Sequence, residues 1–334
     1  MKIYKNVFEK IVSPENLFNA WSNFKHDKRK RLDVQQFEIS LEENIFKLYW
    51  ELKSGEYKHG PYKPFYIQDP KQRLIHKATV RDRVVHHAIY SVLNPIFEPT
   101  FIANSFSCRI GKGTHKGVRA LERMLRKVSR NNTRKCFTLK CDIKKFFDSI
   151  DHRILLNILR RKIKDENAMR LLKEIVGSYP TSNTREETRV LPRGLPIGNL
   201  TSQLFANIYL NELDQFIKHK LKIKNYLRYT DDFVIVGGSK KHLERLVVSI
   251  SDDLRTRLRL MLHPDKVDIR KYSQGIDFLG YVILPYYKVI RTKTKKRIIR
   301  KLNKENLASY LGVLSHANSF KLEKSLRKIL SEDI

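Results

Sequence analysis

The chain has 334 residues, 41% hydrophobic and 10% aromatic, enough apolar material for a packed core and too much for a disordered chain. Its 67 Lys and Arg stand against 35 Asp and Glu, and the resulting net charge of +32 implies a polyanionic partner. No apolar run approaches the roughly 20 residues that span a bilayer, and the start of the chain lacks a signal-peptide apolar region, so nucleic acid is expected rather than membrane.

Cys108, Cys136 and Cys141 are odd in number and lack CxxC spacing, which predicts free thiols in a reducing cytoplasm. No repeat, low-complexity block or Gly/Ser/Pro-rich linker divides the chain. The first 60 residues read as helical and basic, with Lys28-Arg29-Lys30-Arg31 and an apolar-rich stretch from Ile45 to Leu52. From Cys136 the pattern alternates. Phe137, Leu139, Cys141 and Ile143 share one face of a strand, while Thr138, Lys140 and Asp142 share the other. Asp148 or Ser149 is then expected to cap a helix carrying Ile150, Ile154, Leu155 and Ile158.

A second helix is expected from about Asn199 to Thr201, with Leu204, Phe205, Ile208, Leu213, Phe216 and Ile217 as its apolar stripe. Leu227 to Val236 predicts a tight hairpin with Asp231 and Asp232 at its tip. Leu243, Leu246, Val247, Ile250, Leu254 and Leu258 mark a third helix, followed by short strands around Leu260 and from Phe278 to Val282. This order fits an α+β fold, an antiparallel sheet backed by helices, with Asp142 and Asp231 on neighbouring strand ends. Adjacent carboxylates repel and resist burial unless a cation compensates them, and hard oxygen ligands suit magnesium. The run from Lys288 to Lys304 holds nine Lys or Arg, and two short helical patterns that follow, split near Ser315 to Asn318, suggest a clamp for a nucleic-acid backbone.

With these residues in place, positions 60 to 285 resemble a reverse transcriptase. Lys71-Gln72-Arg73 with Thr79 to Val85 is similar to the opening fingers motif, and Asn104-Ser105-Phe106 through His115 to the next. Cys141-Asp142 through His152 resembles the first catalytic motif, Tyr229-Thr230-Asp231-Asp232 a YxDD box, and Phe278-Leu279-Gly280 the primer-gripping FLG motif. With the Lys266 segment that precedes the FLG motif, six blocks in family order make the resemblance specific. It implies a right-hand polymerase with a basic helical extension (1–60), fingers (61–135), a palm (136–285, with an insertion near 160–195) and a basic helical thumb (286–334). It also implies RNA-directed DNA synthesis with two magnesium ions on Asp142 and Asp231, assisted by Asp232. Lys266 would act as proton donor to the leaving pyrophosphate, or stand as a solvated lysine. Lys71, Arg73, Phe147 (as steric gate), Ile197, Gly198, Ser202 and Gln203 would bind the nucleotide. Asp148 and Asp151 read as helix caps, and His86, His87 and His263 lack metal-ligand spacing. Gly111-Lys112-Gly113-Thr114 lacks the P-loop pattern.

One block narrows the class. Ile197-Gly198 through Ser202-Gln203 stands where most reverse transcriptases carry QGxxxSP, and it resembles diversity-generating retroelement enzymes of bacteria and phages. That class implies error-prone copying, at adenines, of a template-repeat RNA, deoxynucleoside triphosphates as substrates, an RNA/cDNA duplex as product, and a small basic multimeric accessory protein. Retron signatures are absent, and the length is read as leaving little room for the maturase domain of group II intron enzymes. A defence-associated or group II intron-like enzyme copying its own noncoding RNA is the alternative. A non-catalytic RNA-binding scaffold is a further one, against which the intact carboxylate set argues.

Overall fold

A computed structural model describes residues 2–68, 72–179 and 192–332. Four helices open the chain: α1 (Val7–Val12), α2 (Pro14–Lys25), α3 (Leu32–Ile39) and α4 (Leu41–Ser54). Ser13 starts α2 by accepting from the Asn16 amide, with Pro14 at the first helical position where its missing N–H costs nothing. The antiparallel hairpin β1 (Lys63–Ile67) and β2 (Arg73–Lys77) leads to α5 (Val80–Phe97), α6 (Thr114–Val128) and β3 (Phe137–Asp142). Next come α7 (Phe146–Ser149), α8 (His152–Lys162), α9 (Glu166–Gly177) and α10 (Leu200–Gln215). The hairpin β4 (Tyr226–Tyr229) and β5 (Asp232–Gly237) precedes α11 (Lys240–Arg257) and β6 (Asp268–Lys271). Three short strands, β7 (Ile276–Phe278), β8 (Tyr281–Ile283) and β9 (Lys288–Ile290), are followed by α12 (Thr292–Lys301), α13 (Leu307–Leu314) and α14 (Phe320–Glu332).

The chain forms two compact units. The first holds Met1–Ile102, Lys144–Phe216 and Asp253–Met261, and the second holds Ala103–Ile143, Ile217–Asp252 and Leu262–Ile334. In the first, α5 packs against α2 and α10. Trp21, Phe24, Val84, Ile89, Phe205 and Ile208 are all buried there, each worth about 1.5–3 kcal/mol of apolar transfer. In the second, a four-stranded antiparallel sheet runs in the order β4-β5-β3-β6 and a separate three-stranded sheet in the order β7-β8-β9. One core joins Val118, Leu121 and Leu125 of α6 to Leu227, Val234, Phe278, Tyr281 and Leu314.

Four local expectations need correction. Asp151, not Asp148 or Ser149, caps α8, accepting from the Arg153 and Ile154 amides, and Ile150 lies outside the helix. Leu260 is buried but not in a strand; Leu262 makes only an isolated bridge to Ile143, and the strand is β6. Phe278 to Val282 is a hairpin rather than one strand, because Leu279 and Gly280 both take positive φ (50° and 90°). A third C-terminal helix, α12, occupies the basic run itself. Among the described residues no helix is long and apolar enough to cross a membrane.

Candidate active site

The acidic residues meet where β3 ends and β5 begins. Antiparallel pairing sets Asp142 opposite Asp232 and continues through Lys140 opposite Val234. Paired residues share a face, so Asp142, Lys140 and Thr138 project together, as the alternation of β3 predicts. Asp231 sits in the two-residue loop between β4 and β5, after Thr230 at φ +56°. A β-branched residue disfavours that conformation, and local bonds hold it. Thr230 Oγ1 donates to Ser107 Oγ at 2.7 Å, and the buried Arg228 guanidinium donates to the Thr230 carbonyl at 3.0 Å. The main chain of Arg228 is itself pinned, donating to Asn104 O and accepting from Phe106 N.

Two lysines partly compensate the carboxylates. Lys266 Nζ donates to Asp142 Oδ1 at 2.8 Å, and the His263 amide donates to the Asp142 carbonyl at 2.8 Å. Lys140 Nζ lies 3.6 Å from Asp232 Oδ2 and donates to the Asp277 carbonyl at 3.3 Å. The Asp277 carboxylate in turn pairs with Arg291 at 3.0 Å. A pocket of about 250 Å³ opens over this face, lined by Thr138, Lys140, Asp142, Asp232, Lys266 and Arg270 among others.

Compensation is incomplete. Burial, with the Asp142 and Asp232 charges adding to it, raises Asp231 to about 6. Burial likewise raises Asp232, against the pull of Lys140. Asp232 Oδ1 is buried with no hydrogen-bond partner, a costly state for a carboxylate oxygen. Among the described residues no three His, Cys, Asp or Glu side chains close a metal cage by themselves. The donor set still fits a hard divalent cation whose shell is completed by water and phosphate oxygens. It is all oxygen, crowded with negative charge, and has one buried oxygen left over.

The other expected residues lie apart from this cluster in the chain. Arg73 is exposed on β2, and Lys71 lies outside the described residues. Phe147 is half-buried in α7 beside the buried Phe146, their rings edge-on at 5.4 Å, and its carbonyl accepts from the Leu195 amide. The Ile197 carbonyl accepts from the His76 amide at 3.1 Å, tying the turn before α10 to β2. Gly198 has φ +118°, and a Cβ there would stand 2.7 Å from Ile75 Cγ2. Ser202 is buried and Gln203 half-buried on α10. Phe278 is fully buried, and Leu279 and Gly280 form the tip of the β7–β8 hairpin. Sequence reasoning left Lys140, Arg228, Ser107 and Asp277 without a role at this site; only Lys140 had a signal, its place on the Asp142 face.

A profile of the reverse transcriptase (RNA-dependent DNA polymerase) family matches residues 62–283, about two thirds of the chain. The chain belongs to the reverse transcriptase family. This reverse transcriptase is 29% identical over 269 positions to protein YkfC of Escherichia coli K12, covering 70% of this chain and 69% of that one. It is 25% identical over 364 positions to the group II intron-encoded protein LtrA of Lactococcus lactis, covering 89% of this chain and 59% of that one. A putative intron 2 protein of COX1/OXI3 in Saccharomyces cerevisiae is 24% identical, covering 66% of this chain and 30% of that protein. The chain thus spans under two thirds of LtrA. Telomerase of Candida albicans, solved in complex with a fragment of telomeric RNA, shares the fold. Its TM-score is 0.50 at 12% identity, over 78% of this chain and 50% of that one. This reverse transcriptase is accordingly an RNA-directed DNA polymerase by family, with a mixed helix-and-sheet polymerase fold.

Proposed function

We propose that this reverse transcriptase copies an RNA template into DNA at the carboxylate cluster of Asp142, Asp231 and Asp232. The observation that supports this reading is the under-compensated carboxylate cluster on adjacent strand ends. Two magnesium ions held by these residues would activate the primer 3′-hydroxyl and stabilise the leaving pyrophosphate. Lys266 Nζ, now on Asp142, is the candidate proton donor to that pyrophosphate. Phe278, Leu279 and Gly280 are assigned to the primer, and Lys71, Arg73, Phe147, Ile197, Gly198, Ser202 and Gln203 to the incoming nucleotide, with Phe147 excluding the 2′-hydroxyl. The extension, fingers, palm and thumb boundaries given above are assigned on the same resemblance. Asp231→Asn keeps the shape and removes a charge. It is expected to lower magnesium-dependent deoxynucleotide incorporation on a primed RNA by several powers of ten while RNA binding survives. Near-normal synthesis would sink the assignment.

The relatives point to a group II intron-like enzyme copying the RNA of its own element, and chain length does not argue against it, since most of this chain aligns with LtrA. A second reading, adenine-directed error-prone copying in a diversity-generating retroelement with a basic accessory protein, is favoured by one observation: Ile197 and Gln203 replace the usual Gln and Pro. An Ile offers no hydrogen bond where an amide would, and one lost bond of about 0.5–1.5 kcal/mol relaxes selection up to roughly tenfold. Ile197→Gln is then expected to lower misincorporation opposite template adenine. Equal error spectra in sequenced cDNA would leave the intron-like reading.

A further inference from the structure

α6 has the most strongly segregated faces of the helices in the second unit. Gly117, Val118, Ala120, Leu121 and Leu125 are buried, with Val118, Leu121 and Leu125 in the core beside Leu227, Val234 and Val236. The opposite face carries Lys116, Arg119, Arg123, Arg126 and Lys127, all exposed, and Arg130 continues it past the helix end. Steps of three and four residues stack these cations in one stripe about 16 Å long at 1.5 Å per residue. Among the described residues none of them makes an ion pair. The helix's one acid, Glu122, is off the stripe and taken by Lys288 at 3.0 Å.

At the N-terminal end the stripe runs into a separate cleft of about 470 Å³, lined by Asn104, Gly111, Lys112, Lys116, Arg119 and Arg123 among others. The N-cap there is Gly113, which has no side chain to satisfy the first-turn amides. Four cations, Lys112, Lys116, Arg119 and Arg123, line that cleft, and the positive end of the α6 dipole adds to their field. None of the residues lining the acidic pocket comes from α6.

We propose that this stripe and cleft are a docking surface for the sugar-phosphate backbone of double-helical RNA, distinct from the acidic pocket. Arginine forks match phosphate oxygens, and four of the six stripe cations are arginines. The stripe contains no aromatic side chain, and the one aromatic lining the cleft, Phe106, is buried and offers no open stacking face. Surfaces for single strands stack bases on aromatics, whereas duplex RNA is gripped through phosphates and 2′-hydroxyls. The choice of RNA over another polyanion rests on the RNA-copying reading.

The triple variant Arg119→Gln, Arg123→Gln, Arg126→Gln tests it. The probe is a blunt RNA duplex of about two turns without a primer terminus, titrated by fluorescence anisotropy at several salt concentrations. At moderate salt the variant should bind at least about tenfold more weakly, and its slope of log affinity against log salt should shrink by about 2–3, since each phosphate contact contributes roughly 0.7–0.9. The matching Arg→Lys triple variant should keep most of the slope, and extension of a short primed RNA should be unchanged in both. Unaltered duplex affinity, a loss confined to a DNA duplex of the same sequence, or extension falling in step with binding would each overturn the proposal. A wild-type protein that binds the duplex but extends no primer would fail the copying reading alone.

Discussion

Asp231 is raised to about 6 in the folded protein from an ordinary value of 3.8, by burial first and then by its two acidic neighbours. The folded state therefore binds this proton more tightly than the unfolded chain does. Its contribution to stability is present in full below about pH 4 and is lost as pH rises through about 6. In chelator, Asp231→Asn should abolish that part of the slope and stand on the order of 1–3 kcal/mol more stable than wild type at pH 7. Thermal melts of both proteins from pH 4 to 7 check this; parallel curves would mean that the carboxylate is not strained. Magnesium should raise the wild-type melting temperature more than the variant's. The acidic residues were legible in the sequence because period-two alternation places Asp142 on a defined strand face and apolar flanks mark the hairpin. Lys140 was legible on the same ground. Arg228 and Ser107 were not, because a buried guanidinium under a turn has no periodic signature.

Gly198 shows what the turn before α10 demands of its sequence. Its φ of +118° and the 2.7 Å approach of Ile75 Cγ2 to any Cβ combine backbone strain with a clash against β2. Gly198→Ala should destabilise by about 2–3 kcal/mol. Gly111→Ala, with φ +72° but nothing within 4 Å, should cost only about 1 kcal/mol. Denaturant unfolding of the pair separates the clash from the dihedral, and equal losses would show that Ile75 simply moves aside. At this scale the long helices α10, buried nearly all round, and α11, and the β4–β5 hairpin were readable from apolar spacing. The elements misread had reasons of their own. The apolar Leu260 reads as the start of a strand, although it only closes the end of α11, its amide donating to the Leu254 carbonyl. Leu279 hides the β7–β8 turn by taking a left-handed conformation that leucine rarely adopts.

Across the molecule, the charge of +32 is spread over surfaces with different occupants. In the run from 288 to 304, Lys288 is paired with Glu122 and Arg291 with Asp277, so these two cations serve the protein's own structure. Lys293, Lys296 and Arg300 are exposed on α12. Changing these three to Gln should weaken template–primer binding and reduce its salt slope by about 2–3; an unchanged slope would show a merely solvated face. The polyanionic class of the partner was readable from composition. The division into units was not, because it follows contacts between distant segments. The first unit takes its last segment from Asp253–Met261, and the second begins at Ala103 and runs to the end. During synthesis, then, the first unit cannot close until Met261 has left the ribosome, by which time over half of the second has already emerged. Such interleaving makes early contacts non-local and folding slow. Nascent chains halted before that point should remain protease-sensitive and dependent on chaperones, and no single contiguous fragment ending short of it should yield a folded first unit.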